Sequence, residues 1–385
     1  MGDIILELLH VNSQTQQIET IRNREVAALA THRCTPTVMT PQRIRLGVIG
    51  AGRIAQAAHL PAATKADLVD LVAVADSSPL IADGVGRAYG IAAYTDPAEL
   101  LKQDIDAVII AAPDRLHVPL GAQAMKAGKH VLAEKPLAET AAECDELIRL
   151  ADQHVVKLQV GCMKRHDPGI EYARNAVTNI GPILSMQVWY RVMAELRPGT
   201  EATLFPPIVI DPDVRAKETA LKADRERYLL RTHGSHVFDS IRYLAGDVVS
   251  VSAQVAHHGD DFTWHGIGRL AAGGGLASFE ISANVHSGWS EGVDIYGETG
   301  SIHIRSHFPF FRRASDVTVY LDSTGAAVSP AFSDTNAYER QLESFASSIL
   351  EDTRPNPDGS DGRAALALLE AAASSASNQG HEVIL

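Results

Sequence analysis

Leu46-Gly47-Val48-Ile49-Gly50-Ala51-Gly52-Arg53-Ile54-Ala55 decides how the rest of this chain is read. An apolar run that ends on Gly-x-Gly-x-x-Ala and continues as a helical pattern is the strand, turn and helix of a dinucleotide-binding unit. Gly50 permits the tight turn, Gly52 lets the backbone approach a pyrophosphate, and Ala55 keeps helix and strand close. The positive end of the helix then faces the phosphates. Arg53 and Ile54 complete the turn and join Gly50 and Gly52 as candidate cofactor contacts. Asp76 closes the next apolar run, at roughly the 20-residue offset that places a carboxylate on the adenosine ribose hydroxyls. Its charge would repel a 2′-phosphate, which favours NAD and makes NADP the lesser candidate, although Ser77 and Ser78 beside it soften that preference. The plain alternative for Asp76 is a turn residue at a strand end.

Outward from this turn, short apolar runs alternate with helical patterns between residues 44 and 161, as strands covered on both faces do. The strands are expected at 45–49, 68–74, 107–111, 130–133 and 158–160. Asp96-Pro97-Ala98-Glu99 and Thr140-Ala141-Ala142-Glu143 read as capping boxes at two helix starts. Past Gly161 the pattern becomes period-two alternation, at 183–191, 249–255, 277–283 and 317–321, which marks antiparallel strands. Helical spacing returns near 236–244, at Tyr338, Leu342, Phe345 and Ile349, and at 362–374. The expectation is an α/β chain, with an N-terminal doubly wound Rossmann domain followed by an α+β domain carrying a large, mostly antiparallel open sheet. The boundaries fall at 1–43 for an N-terminal extension, 44–162 for the dinucleotide-binding domain and 163–385 for substrate binding and oligomerisation. Residues 194–230, rich in proline and charge, read either as a loop-plus-helix insertion beside the site or as a solvated charged helix.

With 47 acidic against 34 basic residues the net charge is -13, which disfavours nucleic acid and anionic membrane as partners. No apolar run approaches the roughly 20 residues that span a bilayer, and the first 42 residues lack the features of a secretory signal. The three cysteines, Cys34, Cys144 and Cys162, form no metal-type cluster and read as free thiols of a reducing, cytoplasmic compartment. His257-His258 and His265, in a stretch read as loop-rich, lack the partners of a metal site, so no metal is expected.

Two further segments carry chemistry. Ala111-Ala112-Pro113-Asp114 ends one predicted strand and His117 opens a helix, so Ala112, Pro113 and His117 lie at the ligand-binding edge, with capping of the turn the structural alternative for Asp114 and His117. Glu134-Lys135-Pro136 ends the next, putting Lys135, with Glu134 beside it, where a proton carrier for carbonyl/alcohol redox chemistry belongs. At this point the chain resembles the glucose-fructose oxidoreductase/inositol dehydrogenase (Gfo/Idh/MocA) family. The resemblance spans roughly 44–385 and is carried by GVIGAGRIA at 47–55, AAPDRLHVPLGAQAMKAGKHVLAEKP at 111–136, VGCMKRHDPG at 160–169 and HGSHVFDSIRYLAG at 233–246. It implies a nicotinamide-dependent oxidoreductase acting on a CH–OH group of a sugar, glycoside or inositol-like polyol. It also implies Lys135 as acid/base with His236 across the substrate, and Arg165 in the cavity lining. A homo-oligomer, dimer or tetramer, is expected largely on the same ground.

One position departs from the family pattern. Many relatives carry aspartate four residues before the histidine, where this chain has Thr232, which can hydrogen-bond a hydroxyl but supplies no negative charge. His233 is the candidate to replace part of that function, and Asp239, three residues after His236, can orient the ring or simply pack. Two other readings stay open: an enzyme that retains NAD for glycoside cleavage or sugar dismutation, and a non-catalytic NAD-binding regulator. The regulator predicts loss of Lys135 or His236, and both are present.

Overall fold

The computed structural model describes residues 42–193, 203, 205–286 and 288–385. The expected extension 1–43 therefore lies, but for its last two residues, outside the described residues, as do Cys34 and the beginning of the 194–230 insertion.

Six parallel strands form the first sheet: β1 (Ile44–Ile49), β2 (Val69–Ala75), β3 (Ala92–Tyr94), β4 (Ala107–Ile110), β5 (His130–Glu134) and β6 (Leu158–Gly161). Their order is β3-β2-β1-β4-β5-β6. The chain order reverses at β1, which pairs with β2 on one side and β4 on the other, so the cleft beyond its carboxyl end is the switch point where such sheets take ligands. Leu46 and Val48 are fully buried, as a strand covered on both faces requires.

Helix α1 (Leu60–Ala63) is entered through a wide π-turn at Ala55–His59, and α2 (Pro79–Tyr89), α3 (Pro97–Leu101), α4 (His117–Lys126) and α5 (Ala141–His154) follow. The capping box at Thr140 and Glu143 forms in full. At α3 only half of it does: Asp96 caps the Ala98 N–H, while exposed Glu99 turns to Lys102, 2.6 Å away, because an ammonium one turn on competes with the backbone N–H. Strand β3 escapes the sequence pattern because three residues at a sheet edge are too short to show a period.

The second sheet has nine strands: β7 (Ile183–Met193), β8 (Val248–His258), β9 (Asp261–Leu270), β10 (Leu276–Val285), β11 (Ser290–Gly297), β12 (Gly300–Ser306), β13 (Asp316–Leu321), β14 (Ala326–Val328) and β15 (Val383–Ile384). In the order β14-β13-β12-β11-β7-β10-β9-β8-β15 every neighbouring pair is antiparallel except β7 and β10 at the centre. His257, His258 and His265 lie on β8 and β9 rather than in a loop, exposed on either side of a two-residue turn at Gly259-Asp260. Gly259, at φ +59°, supplies the left-handed position that a two-residue hairpin turn needs.

Helices α6 (Pro168–Ala176), α7 (Pro212–Leu221), α8 (Arg225–Leu229), α9 (Ser235–Ala245), α10 (Ala337–Leu350) and α11 (Gly359–Ser377) accompany this sheet in the chain. They do not all pack on it. The apolar stripe of α10, with Tyr338, Leu342 and Phe345, is buried against Ile44, Leu46 and Val69 of the first sheet's region. Each such side chain contributes about 1.5–3 kcal/mol of burial. Helix α11 shares a second core with α5, β6 and the inner face of the large sheet, so one apolar interior runs from the first sheet into the second. Cys144 and Cys162 are buried free thiols, and burial, with Asp145 and Glu370 nearby, pushes the Cys144 thiol up to about 12. Among the described residues no helix is long and apolar enough to cross a membrane.

Candidate active site

The glycine turn has the geometry a dinucleotide needs. Gly50 sits at φ +88°, and a Cβ there would lie 2.7 Å from the Ala111 carbonyl oxygen, so a side chain is excluded twice over. A Cβ on Gly52 would meet nothing nearer than Glu218 Oε1 at 3.8 Å, which leaves the backbone open to an approaching phosphate. Asp76 is fixed at this turn by two backbone donors: Ala51 N–H to Oδ2 at 2.8 Å and Ser78 N–H to Oδ1 at 2.9 Å. Ala55 is fully buried against the sheet, Ile54 is half-buried and Arg53 is exposed. These residues fit an NAD molecule with its phosphates at the turn and its adenosine toward Asp76.

Across the cleft, Lys135 leaves the end of β5 and its ammonium donates to the carbonyl oxygen of Thr232 at 3.3 Å. Thr232 and His233 belong to a π-turn at Leu230–Gly234 that runs straight into α9, where His236 follows one turn on. Arg231, 8% exposed, holds that turn on the first sheet's loops: it donates to the carbonyls of Glu139 and Ala138 at 2.7 Å each and reaches Asp114 Oδ2 at 3.3 Å. His233 and His236 both stack on the ring of Tyr190 from β7, each with centroids 5.4 Å apart, and Trp289 meets the same ring edge-on at 5.0 Å. The Lys135 ammonium is thus brought onto the turn that carries His233 and leads into the helix of His236.

Sequence profiles of one family match both halves of the chain: the oxidoreductase family, NAD-binding Rossmann fold, over residues 44–162, and the GFO/IDH/MocA C-terminal domain over 209–303. Together they cover more than half of it. The chain belongs to the Gfo/Idh/MocA family. It is similar to an inositol 2-dehydrogenase of Rhizobium meliloti (strain 1021), 28% identical over 345 residues, covering 86% of this chain and 96% of that one. A solved structure of a putative myo-inositol dehydrogenase from Sinorhizobium meliloti 1021 is 26% identical, with a TM-score of 0.69 and coverage of 89% and 99%. A levoglucosan dehydrogenase solved with NADH and L-sorbose shares the fold, with a TM-score of 0.74 at 21% identity, covering 89% of this chain and 99% of that one. The chain is accordingly an NAD-binding oxidoreductase.

Three residues expected at the cofactor or substrate are occupied elsewhere. Arg165, 4% exposed, donates to Asp239 from Nε (3.0 Å to each carboxylate oxygen) and Nη2 (2.7 Å) and to Asn356 from Nη1. Asp239 is thus the carboxylate partner of Arg165. His117 is buried with its ring nitrogens 2.8 Å from the Ala112 carbonyl and 2.9 Å from that of Pro136, so it ties the Ala112-Pro113 loop to the Lys135 turn. Ala112 and Pro113 themselves are half-buried at the cleft. Glu134 gives one oxygen to His59 Nε2 at 2.8 Å and the other to the Lys135 backbone N–H at 3.1 Å. Burial pushes its carboxyl up, but the His59 hydrogen bond and the charges of His59 and Lys135 outweigh that and hold it below the ordinary range.

The residue that does face Tyr190 from this segment is the neighbour, Lys164. Its ammonium lies over the ring, 4.2 Å from the centroid, and pairs with Glu291 of β11. Burial lowers the Lys164 ammonium, with Lys135's charge adding to the fall against the pull of Glu291, and burial raises Glu291. Lys164 stood in the quoted Met163-Lys164-Arg165 run, but adjacent residues of the tight turn Met163–His166 point apart, and only the fold says which one points where. His59 carried no local signal at all, since its partner lies 75 residues away.

Proposed function

We propose that this protein interconverts a secondary alcohol and a ketone on a sugar, glycoside or inositol-like polyol, with Lys135 as the acid/base and His236 beside it. Residues 44–162 hold the cofactor and residues from 163 onward supply the substrate cavity and the surface of a homo-oligomer. The observation that carries this is the convergence of the Lys135 ammonium on the turn of Thr232 and His236, opposite a glycine turn shaped for a dinucleotide. When bound, NAD supplies the hydride acceptor or donor.

The chain's residues do the rest. Lys135 exchanges a proton with the reacting hydroxyl, and the Thr232 carbonyl aims the ammonium without neutralising it. His236, stacked on Tyr190, orients the substrate hydroxyl or relays its proton to solvent. Lys164 lies over the Tyr190 ring, and His233 and Trp289 pack around the same ring, so this cluster would wall one side of the bound substrate. Inositols, aldoses and anhydrosugars form the natural panel, because relatives are named for such compounds. NADH formation from one of them, abolished in Lys135→Met, supports the proposal. No NADH from the panel, and no change in substrate-dependent response on Lys135→Met, overturns it.

A further inference from the structure

The adenosine corner of the cofactor site is built from both halves of the chain. Helices α2 and α7 begin there with the same device, an oxygen-bearing cap followed by proline: Ser78-Pro79 and Asp211-Pro212. The two caps are bonded to each other, Ser78 Oγ donating to Asp211 Oδ2 at 2.5 Å. Asp211 Oδ1 accepts from the N–H groups of Asp213 and Val214 at 2.9 and 3.3 Å. Ser78 is 3% exposed, and its hydroxyl oxygen also accepts from the Ile81 N–H, while its own N–H goes to Asp76.

The segment ahead of α7 is docked on the same region of the first sheet's helices. Gln56 accepts from the N–H groups of Ile208 and Val209 and donates to the Val209 carbonyl. The Val209 side chain fills the space over Gly84, where a Cβ would come within 3.0 Å of it.

Two helix N-termini meeting at one point make a place for an anion, since both present free N–H groups and the positive ends of their dipoles. Here that place is taken by a carboxylate of the chain itself. The Ser78 hydroxyl bond and the α7 N–H groups hold Asp211 below the ordinary carboxylate range, so it is charged at neutral pH.

We propose that Asp211, contributed by the second half of the chain, acts with Asp76 to select NAD against NADP. The inference rests on the NAD-binding reading of the Gly50–Asp76 turn. A 2′-phosphate needs a donor or a cation beside the ribose. The Ser78 hydroxyl, which in the sequence softened the preference, has already given its proton to Asp211. A phosphate arriving there also meets two carboxylates in place of one.

Fluorescence titration of the full-length protein with NADH and with NADPH tests this without any substrate. Asp211→Asn keeps an acceptor and a helix cap but removes the charge, and Asp211→Ser is a second cap-competent change. The ratio of the NADPH to the NADH dissociation constant is expected to fall by about tenfold in each variant, by more when Asp76→Asn is added, and by less at high salt. An unchanged ratio overturns the proposal, and so does a parallel weakening of both nucleotides, which is what a purely structural docking role would give. A wild-type protein that binds neither nucleotide overturns the cofactor reading beneath it, a failure distinct from an unchanged ratio.

Discussion

The glycine turn and the cluster around Tyr190 hold their polar groups by different means. At the turn, Asp76 is fixed by backbone N–H groups of residues close to it in the fold, Ala51 and Ser78, and glycines make the room. In the cluster, Lys164 is held by Glu291 from a strand 127 residues away, Tyr190 is stacked by His233 and His236, and Arg231 fastens the neighbouring turn to Ala138 and Glu139. Backbone donors survive almost any substitution that leaves the strand and turn intact. Side-chain pairs drawn from distant segments do not, because losing one partner strands the other in a dry interior.

That contrast can be broken first at Lys135, for which we propose a chemical role. Lys135→Met is expected to lower the turnover rate about 1000-fold, within the usual range for losing a general acid/base, while NADH affinity by fluorescence titration persists. Loss of nucleotide binding in step with the rate would place Lys135 in the glycine turn's structure instead. The next largest effect belongs to the cluster. Glu291→Gln leaves the buried Lys164 ammonium without its counter-charge and should cost about 3 kcal/mol in denaturant unfolding. Pairing Lys164→Met with Glu291→Leu should recover most of that, and a failure to recover it would mean the pair is needed for more than neutrality.

A third test uses pH. His166, at the end of the turn that carries Lys164, is buried, and burial together with Arg340 and Arg165 pushes its imidazole down to about 3. In the unfolded chain a histidine takes its proton near 6.5, so the unfolded state binds more protons in between. Stability from the neutral ring is therefore present above about pH 6.5 and is lost as pH falls toward about 3, by up to roughly 1.4 kcal/mol per pH unit. His166→Gln should flatten stability measured over that window, and an unchanged slope would show the ring titrating normally. The smallest effect is expected at Thr232, whose carbonyl, not its side chain, meets Lys135. Thr232→Val should lower kcat/KM by less than about tenfold; a much larger fall would mean the hydroxyl itself reaches the substrate.

How much of this could be read in advance depended on sequence distance. The run from Leu46 to Ala55 showed strand, turn and helix because each step is a local rule: an apolar run, glycines at the turn, a short residue at close packing. Thr140 with Glu143 could be read for the same reason, whereas Glu99 could not, since a carboxylate three residues from a cap has a free choice between the backbone and Lys102. The stripe of Tyr338, Leu342 and Phe345 announced a buried helix face but not its partner, and α10 packs on the first sheet's region although it follows the second in the chain. Lys135 and His236 stand in motifs that could be read, and the structure puts them after β5 and on α9. That Arg165 pairs with Asp239 while Lys164 lies over Tyr190 could not be read, because the turn Met163–His166 has no period that says where each side chain points.

The sequence by itself determined the order of the elements, the glycine turn with Asp76, and the lysine at the end of β5, all products of short-range sterics, capping and hydrophobic period. Only the tertiary structure decided that Arg165 belongs to Asp239, that Glu134 belongs to His59, that Lys164 looks onto Tyr190, and that Ser78 donates to Asp211. Those pairings join residues far apart in the chain, and a charged side chain chooses among distant partners by burial and geometry that no local pattern encodes.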